Sequence, residues 1–344
     1  MDPTLLRRLQ LTPDRVVSEA RDTFVVARCR DRAGAPVVLK CAPSTSVEAL
    51  RRLSNEALLL KHLRVRPPLR LLRYREHGDG YLVTEYDPGM LLTPQRVSAA
   101  DVHLAVADAL VEFQSLRVDP ARWGIVDIDR LTTGYYRVLV KHLLHAWPAH
   151  IGARDAARCL AIVRQALGAI RRHRVICHGD FLPTNLLYHP EDRTVTFTDL
   201  ERFAGANHPL FDALALCTVA DEELDAWDWQ RAFLARYLAR ATVLRLDPRS
   251  REFADAYRGI LVFFLVYRLS ETRIELLKTS YFDGGGKRRY LRRKLGALAA
   301  GDTSAWREDR LTAALARRKR NLRLALSRPH FDEHLRRMRS AVSA

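Results

Sequence analysis

Long apolar runs are missing from this chain. The longest, Ile260–Val266 (ILVFFLV), falls far short of the ~20 residues of a membrane-spanning helix and reads as the middle of a buried one. The stretch MDPTLLRRLQLTPDR has neither the apolar core nor the small-residue cleavage site of a secretory signal. Cysteine is sparse: Cys29, Cys41, Cys159, Cys177 and Cys217 are odd in number, scattered and without a CxxC pair. That argues against a disulfide framework or a zinc site and fits a reducing, cytoplasmic setting. Internal repeats are absent. Lysine is rare as well, with seven among 57 basic residues.

What is there is 344 residues, enough for two domains and a substantial core, with 48% apolar and 28% charged residues in an ordinary globular balance. The net charge of +17 is concentrated. Residues 284–344 hold 17 Lys and Arg against 5 Asp and Glu, so the first 283 residues carry only +5. Such a tail is either a solvated basic face or an attraction for an anionic partner: a phospholipid surface, a phosphorylated sugar or nucleic acid.

Valine-rich residues 14–29 and 35–41, split by a turn at Asp31–Gly34, read as β-strands. In STSVEALRRLSNEALLLKHL (44–63), Ser/Thr cap candidates precede Leu50, Leu53, Ala57 and Leu60 at helical spacing. Residues 69–76 and 80–86 read as a hairpin joined at His77–Asp79. After a break at Asp87-Pro88-Gly89, residues 100–116, 154–173, 229–244 and 251–278 carry helical periodicity, interrupted by a strand, turn and strand between Ile176 and Thr198. FDGGGKRRY (282–290) marks a second break before an Arg-rich helical tail. The expected division is therefore 1–87, 88–283 and 284–344.

Two places carry chemistry. Lys40 ends an apolar strand, where a lone lysine is ordinarily an edge or snorkelling residue. Glu56, however, lies three residues after Leu53 and four before Leu60, on the inward helix face. A buried carboxylate needs a partner, and a Lys40–Glu56 pair is the economical one. An ammonium so held suits the phosphates of a nucleotide. The second place is CHGDFLPTNLLYHPEDRTVTFTDLERF (177–203), which sets Asp180, Asn185 and Asp199 around one expected hairpin. Two carboxylates and a carboxamide suit a hard cation such as Mg²⁺, which shares its remaining positions with water and phosphate. His178 alone reads as a packed histidine and Asp199 alone as a turn residue. The combination HGDxxxxN with an aspartate 14 residues after Asn185 is far more specific.

With VVLK (37–40), NEALLL (55–60), LVTEYDPG (82–89), HGDFLPTN (178–185), TDLE (198–201) and HPLFDALA (208–215) in this order across residues 14–220, the chain resembles the aminoglycoside phosphotransferase-like branch of the protein-kinase fold. The resemblance implies an α+β, two-lobed architecture: a small antiparallel-sheet N-lobe that binds nucleotide and a mainly helical C-lobe. It implies ATP and Mg²⁺ as cofactors and a hydroxyl as phosphate acceptor. Asp180 is then the carboxylate that orients the hydroxyl and takes its proton, Asn185 and Asp199 hold Mg²⁺, and Lys40, steadied by Glu56, holds phosphate. The backbone around Glu85–Asp87 would meet the adenine, with Thr84 at the back of that pocket. His178 and Asp212 would hold the catalytic loop and its neighbouring helix. Phosphoryl transfer asks mainly for positioning and charge neutralisation, which these parts supply.

The chain departs from the family pattern twice. The phosphate-covering loop should lie near Ser18–Thr23, yet SEARDT contains no glycine, so backbone amides would act there with help from Ser18 or Thr23. Asp199 is followed by Leu-Glu rather than Phe-Gly, and 12 residues separate it from Asp212, too few for a long activation segment. Gly179 stands where regulated protein kinases carry an arginine. A small-molecule or lipid-linked acceptor is therefore expected in place of a protein.

Aminoglycosides are polycations and match a +17 chain poorly, although Asp221, Glu222, Glu223, Asp225 and Asp228 form one acidic cluster. The leading expectation is a sugar on an anionic glycolipid such as lipopolysaccharide core, reached at the inner face of a membrane through residues 284–344, each basic residue contributing roughly 1 kcal/mol. The second is a kinase of an antibiotic or soluble metabolite, with a structural tail. The third, from another class, is a catalytically inactive nucleotide-binding scaffold, against which Asp180, Asn185 and Asp199 stand. Nucleic acid is not an expected partner, because the tail has few aromatics for base stacking and no recognisable module.

Overall fold

Asp2 and Pro3 start a helix at once. The Asp2 carboxylate accepts the Thr4 N–H at 2.8 Å, and Pro3 has no N–H to leave unpaired. This computed structural model describes residues 2–19, 24–43, 46–119, 122–125, 131–146, 151–220, 222–240, 244, 246–281 and 310–343. After α1 (Pro3–Leu9) come β1 (Thr12–Glu19), β2 (Val25–Arg30), β3 (Pro36–Cys41), α2 (Val47–His62), β4 (Leu69–Leu71), β5 (Tyr74–Gly78), β6 (Tyr81–Glu85) and β7 (Met90–Leu91). Then follow α3 (Pro94–Val97), α4 (Ala100–Gln114), α5 (Leu131–Ala146), α6 (Ala153–Arg172), β8 (Val175–Cys177), β9 (Leu186–His189), β10 (Thr194–Phe197) and β11 (Ala204–Asn207). The last helices are α7 (Leu210–Cys217), α8 (Asp228–Arg240), α9 (Arg251–Tyr281), α10 (Arg310–Leu326) and α11 (Arg328–Ser343). The architecture is α+β, with a small antiparallel sheet towards the N-terminus and a mainly helical C-terminal part. Two compact units divide it: Met1–Arg130 with Arg174–Ala213 and Ala239–Arg245, and Leu131–His173 with Leu214–Leu238 and Leu246–Ala344.

In the first unit, β1-β2-β3-β6-β5 form one antiparallel sheet. Alternation along its strands separates two faces. Ala27, Cys29, Val37, Leu39, Tyr81 and Val83 pack with Leu11 and the half-buried Leu5, Leu6 and Leu9 of α1. Val26, Val38, Lys40, Leu82 and Thr84, one position out of step, point the other way. Asp31 closes the β2–β3 turn by accepting the N–H groups of Ala33 and Ala35 at 3.0 and 2.8 Å, and Gly34 supplies the positive φ of +80°. A second sheet, β4-β10-β9-β7, and the pair β11-β8 complete the unit.

The sequence-expected hairpin over 69–86 is corrected in two respects. Its first strand breaks after Leu71, because Leu69–Leu71 leave to pair in parallel with Val195–Phe197. The turn then falls at Asp79–Gly80, where Gly80 adopts φ +78°. The stretch 14–29 likewise proves to be two strands, β1 and β2.

The second unit is built on α9, whose Ile260–Val266 segment is buried throughout. Gly259 lets α6 approach, since a Cβ there would collide with that of Ala166. The basic tail is folded in its described part. Leu322, Ala325, Leu326, Phe331, Leu335 and Met338 of α10 and α11 are buried, each large side chain worth about 1.5–3 kcal/mol. Arg258 donates to the carbonyls of Ala325 and Leu326 at the end of α10, at 3.1 and 2.7 Å. Asn321 accepts the Leu224 N–H and donates to the Glu222 carbonyl. Residues 282–309, with the expected break at 282–290, lie outside the described residues, as does Asp221 of the acidic cluster. Among the described residues no helix is long and apolar enough to cross a membrane.

Candidate active site

The cavity-facing side of the first sheet forms one wall of a cavity of about 840 Å³. Lys40, on β3, lies there beside Glu56 from α2. The ammonium stands 2.7 Å from Glu56 Oε2 and 3.0 Å from Glu201 Oε2, and also contacts Asp199 Oδ1. Oxygens of these three carboxylates lie within 4.8 Å of one another, an arrangement suited to a cation, and Lys40 supplies it. Glu56 Oε1 also accepts the Leu200 N–H at 3.2 Å, so one buried carboxylate ties strand, helix and the segment after β10 together.

Electrostatics follow from this packing. Burial disfavours the Lys40 ammonium, but Glu56, Asp199 and Glu201 outweigh it and hold its pKa above the ordinary lysine value. Complete burial pushes Glu56 up against the pull of Lys40. Burial acts on Asp199 in the same sense, yet Lys40, with His178 and Arg202, brings it below the usual carboxylate range. Burial raises Glu201 to about 7, Lys40 opposing and Asp199 adding to the rise.

The loop after β8 carries Asp180. Its shape comes from main-chain bonds: the buried Asp212 carboxylate accepts the N–H groups of His178 and Gly179 at 2.8 and 3.1 Å. Gly179 has φ +83°, and a Cβ there would overlap the Arg202 carbonyl, so conformation and space both demand glycine. His178, fully buried among Phe113, Phe181 and Phe197, donates from Nε2 to the Thr198 carbonyl at 2.8 Å and accepts the Asp180 N–H at Nδ1. It therefore links the Asp180 loop to the residue before Asp199. Asn185 adds two more links: Nδ2 donates to the Asp180 carbonyl at 2.8 Å, and its own carbonyl accepts the Thr198 N–H at 3.0 Å. Asp199 itself sits at φ +59°, a left-handed conformation that costs a non-glycine residue roughly 1 kcal/mol.

Val26 and Leu82 flank Lys40 in the sheet register, Val38 stands beside the buried Thr84, and Leu72, Tyr86, Leu91 and Leu187 complete a largely apolar end of the cavity. The N–H groups of Glu85 and Tyr86 are engaged by the carbonyls of Arg73 and Pro36. Asp87 is fixed through its side chain, accepting from Gly89 N–H at 2.8 Å and Thr196 Oγ1 at 2.7 Å, with His189 Nε2 3.1 Å away.

Of the residues expected from sequence, Lys40, Glu56, Thr84, Asp87, Asp180, Asn185 and Asp199 line this one cavity. Glu85 turns its carboxylate to Arg73 and Arg75 at 3.6 and 3.8 Å. His178 and Asp212 lie behind the wall and organise it. Ser18 has its backbone in β1, paired with Val26, while its side chain and all of Thr23 lie outside the described residues. Sequence reasoning missed Glu201 as a partner of Lys40 and missed Arg202, whose Nε lies 3.9 Å from Asp180 Oδ2. The signal was the charge pattern of TDLER: carboxylates two apart, then arginine.

This sheet, with its lysine–glutamate pair and the following HGD loop, has the organisation of a protein-kinase-like small-molecule kinase. The chain belongs to the phosphotransferase enzyme family APH, whose model matches residues 17–256. Solved structures of similar fold include the aminoglycoside phosphotransferase APH(4)-Ia, a thermostable variant in complex with ADP and hygromycin B (TM-score 0.56, 12% identity, covering 93% of this chain and 97% of that one). Others are the macrolide 2'-phosphotransferase MphH from Brachybacterium faecium (0.54, 17%, 91% and 95%) and the choline kinase LicA from Streptococcus pneumoniae (0.51, 17%, 86% and 96%). No curated protein matches the chain.

Proposed function

We propose that the chain transfers the γ-phosphate of Mg-ATP to a hydroxyl of a soluble small molecule. The observation that carries this reading is the Lys40 ammonium between Glu56 and Asp199, in the cavity that Asp180 and Asn185 also line. Its volume of about 840 Å³ suits a nucleotide-sized ligand. The apolar end takes the adenine, with Thr84 behind it and the backbone at Glu85–Asp87 along its edge. Lys40 meets the phosphates, helped by Ser18 from the end of β1 and by Thr23.

The residues fit a magnesium ion. Asn185 spends its amide nitrogen on the Asp180 carbonyl, which leaves Oδ1 as a ligand atom, and Asp199 is kept ionised. Bound by Asn185 and Asp199, Mg²⁺ supplies neutralisation of phosphate charge. Asp180 accepts the hydrogen bond of the acceptor hydroxyl, points its oxygen at phosphorus and takes the proton. His178 and Asp212 position the loop.

The ADP and hygromycin B complex of APH(4)-Ia, and the macrolide and choline kinases, support a small-molecule acceptor. A second reading, an anionic glycolipid met at a membrane through residues 284–344, draws on the net +12 of that segment. Against it, Arg318, Arg320, Arg337 and Arg339 of the segment bond to carbonyls or carboxylates of the chain's own second unit. Binding to anionic liposomes that survives removal of 284–344 would sink the glycolipid reading. The primary test is Mg-ATP-dependent transfer to a panel of aminoglycosides, macrolides, amino alcohols, sugars and lipid-linked glycans. Transfer to one class that Asp180→Asn abolishes is the expected result; nucleotide binding without transfer to any acceptor would favour an inactive scaffold.

A further inference from the structure

Resting on the phosphotransferase reading, we propose that Arg202 determines acceptor class: it favours a hydroxyl whose carrier bears a nearby phosphate or carboxylate and disfavours one beside an ammonium. Arg202 lines the cavity, with Nε 3.9 Å from Asp180 Oδ2 and 3.9 Å from Glu201 Oε1 and its side chain 44% exposed. Its backbone is pinned to the Asp180 loop, because Gly179 packs directly against the Arg202 carbonyl. The guanidinium's attachment point and the reacting carboxylate therefore keep a fixed relation.

Arg15 lines the same cavity, and most of the other charges there have partners away from Asp180. Glu56, Asp199 and Glu201 share Lys40, and Asp87 is taken up by Gly89, Thr196 and His189. Arg28 lies over the Tyr86 ring at 4.5 Å and faces Asp14 at 3.6 Å. Arg202, shared with Glu201, is the cation that the structure sets beside the Asp180 carboxylate. An acceptor hydroxyl must come within about 3 Å of Asp180. Substituents two or three bonds from that oxygen then lie about 6 Å from the guanidinium, where a unit charge changes relative rates by on the order of 10- to 100-fold. A planar guanidinium also matches a phosphate or carboxylate with two parallel hydrogen bonds, which an ammonium-bearing acceptor cannot return.

The test measures ADP release by the full-length chain with glucose 6-phosphate and glycerol 3-phosphate, with glucose and glycerol, and with ethanolamine and choline. Wild type is compared with Arg202→Lys, Arg202→Met and Arg202→Glu. The expected result is a wild-type preference for the phosphorylated acceptors that Lys largely keeps and Met loses by on the order of 10-fold or more, mainly through KM, and that Glu shifts towards ethanolamine. In parallel, the dissociation constant of glucose 6-phosphate for the Mg-ADP complex should rise in Arg202→Met. An unchanged order of preference, or one uniform fall in kcat for every acceptor, overturns the role of Arg202 and leaves the phosphotransferase reading intact. No transfer by wild type to any of these six acceptors overturns the role of Arg202, and the phosphotransferase reading falls with it only if the wider panel above also gives no transfer.

Discussion

Replacing Lys40 by methionine keeps the stem and removes the charge that three buried carboxylates share. With oxygens of Glu56, Asp199 and Glu201 within 4.8 Å of one another, each ionised pair repels by about 3.5 kcal/mol at an effective dielectric of about 20. The folded variant escapes by binding protons, so these carboxyl pKa values rise above the unfolded values near about 4. A group raised in this way helps most below its unfolded pKa, and the help is lost as pH climbs through the folded one. Glu201, already at about 7 with Lys40 opposing the rise, goes higher without it, so the window extends past pH 7. Lys40→Met should therefore cost about 3–5 kcal/mol at pH 8, in the range for breaking a buried ion pair, and about 1 kcal/mol or less at pH 5. Urea denaturation in EDTA at both pH values measures this, and millimolar Ca²⁺ should return part of the loss at pH 8. A penalty equal at the two pH values, or larger at pH 5, would refute the shared-charge account.

Two further perturbations follow from the same structure. Gly179→Ala must place a Cβ into the Arg202 carbonyl at φ +83°, so turnover should fall by at least about 100-fold while the circular dichroism of the helical unit stays as in wild type; retained turnover would contradict the close approach. His334, beneath Tyr257, is driven down to about 4 by burial, with Arg231 adding to the effect. Because its folded pKa is depressed from 6.5, its contribution of about 3 kcal/mol is complete above pH 6.5 and drains away towards pH 4. His334→Gln should flatten that acid limb in stability measured against pH, and an unaltered limb would place the acid sensitivity elsewhere.

Local patterns carried the secondary structure wherever burial follows a single period. The α2 face of Leu53, Glu56 and Leu60 was readable because a helix repeats its inward positions, and the Lys40–Glu56 pair followed from one carboxylate on that face. Leu69–Leu71 was unreadable, since its partner strand Val195–Phe197 lies far along the chain and leaves no trace in the neighbouring residues. Asp2 followed by Pro3 was a helix-start signal that went unread. Glu201 and Arg202 could be seen as charges, yet their use depends on a left-handed Asp199 that brings the next turn back beneath Lys40. The tail read as a charged helix because arginine dominates its composition. Its stripe of Leu322, Leu326, Phe331, Leu335 and Met338 is what docks it, and the arginines bind carbonyls beside that stripe.

Asp212 grips the start of its loop by the main-chain N–H groups of His178 and Gly179. A scaffold fastened in this way does not read the side chains it displays. Gly179, whose missing Cβ is a steric necessity, His178, which is committed to Thr198, and Phe181, buried against His178 and Phe197, are bound to the support, whereas Thr184 is exposed and lines the cavity. Variation there can reshape what lies beside Asp180 without rebuilding the support beneath it, so changes of cavity chemistry are open to this chain through few mutational steps.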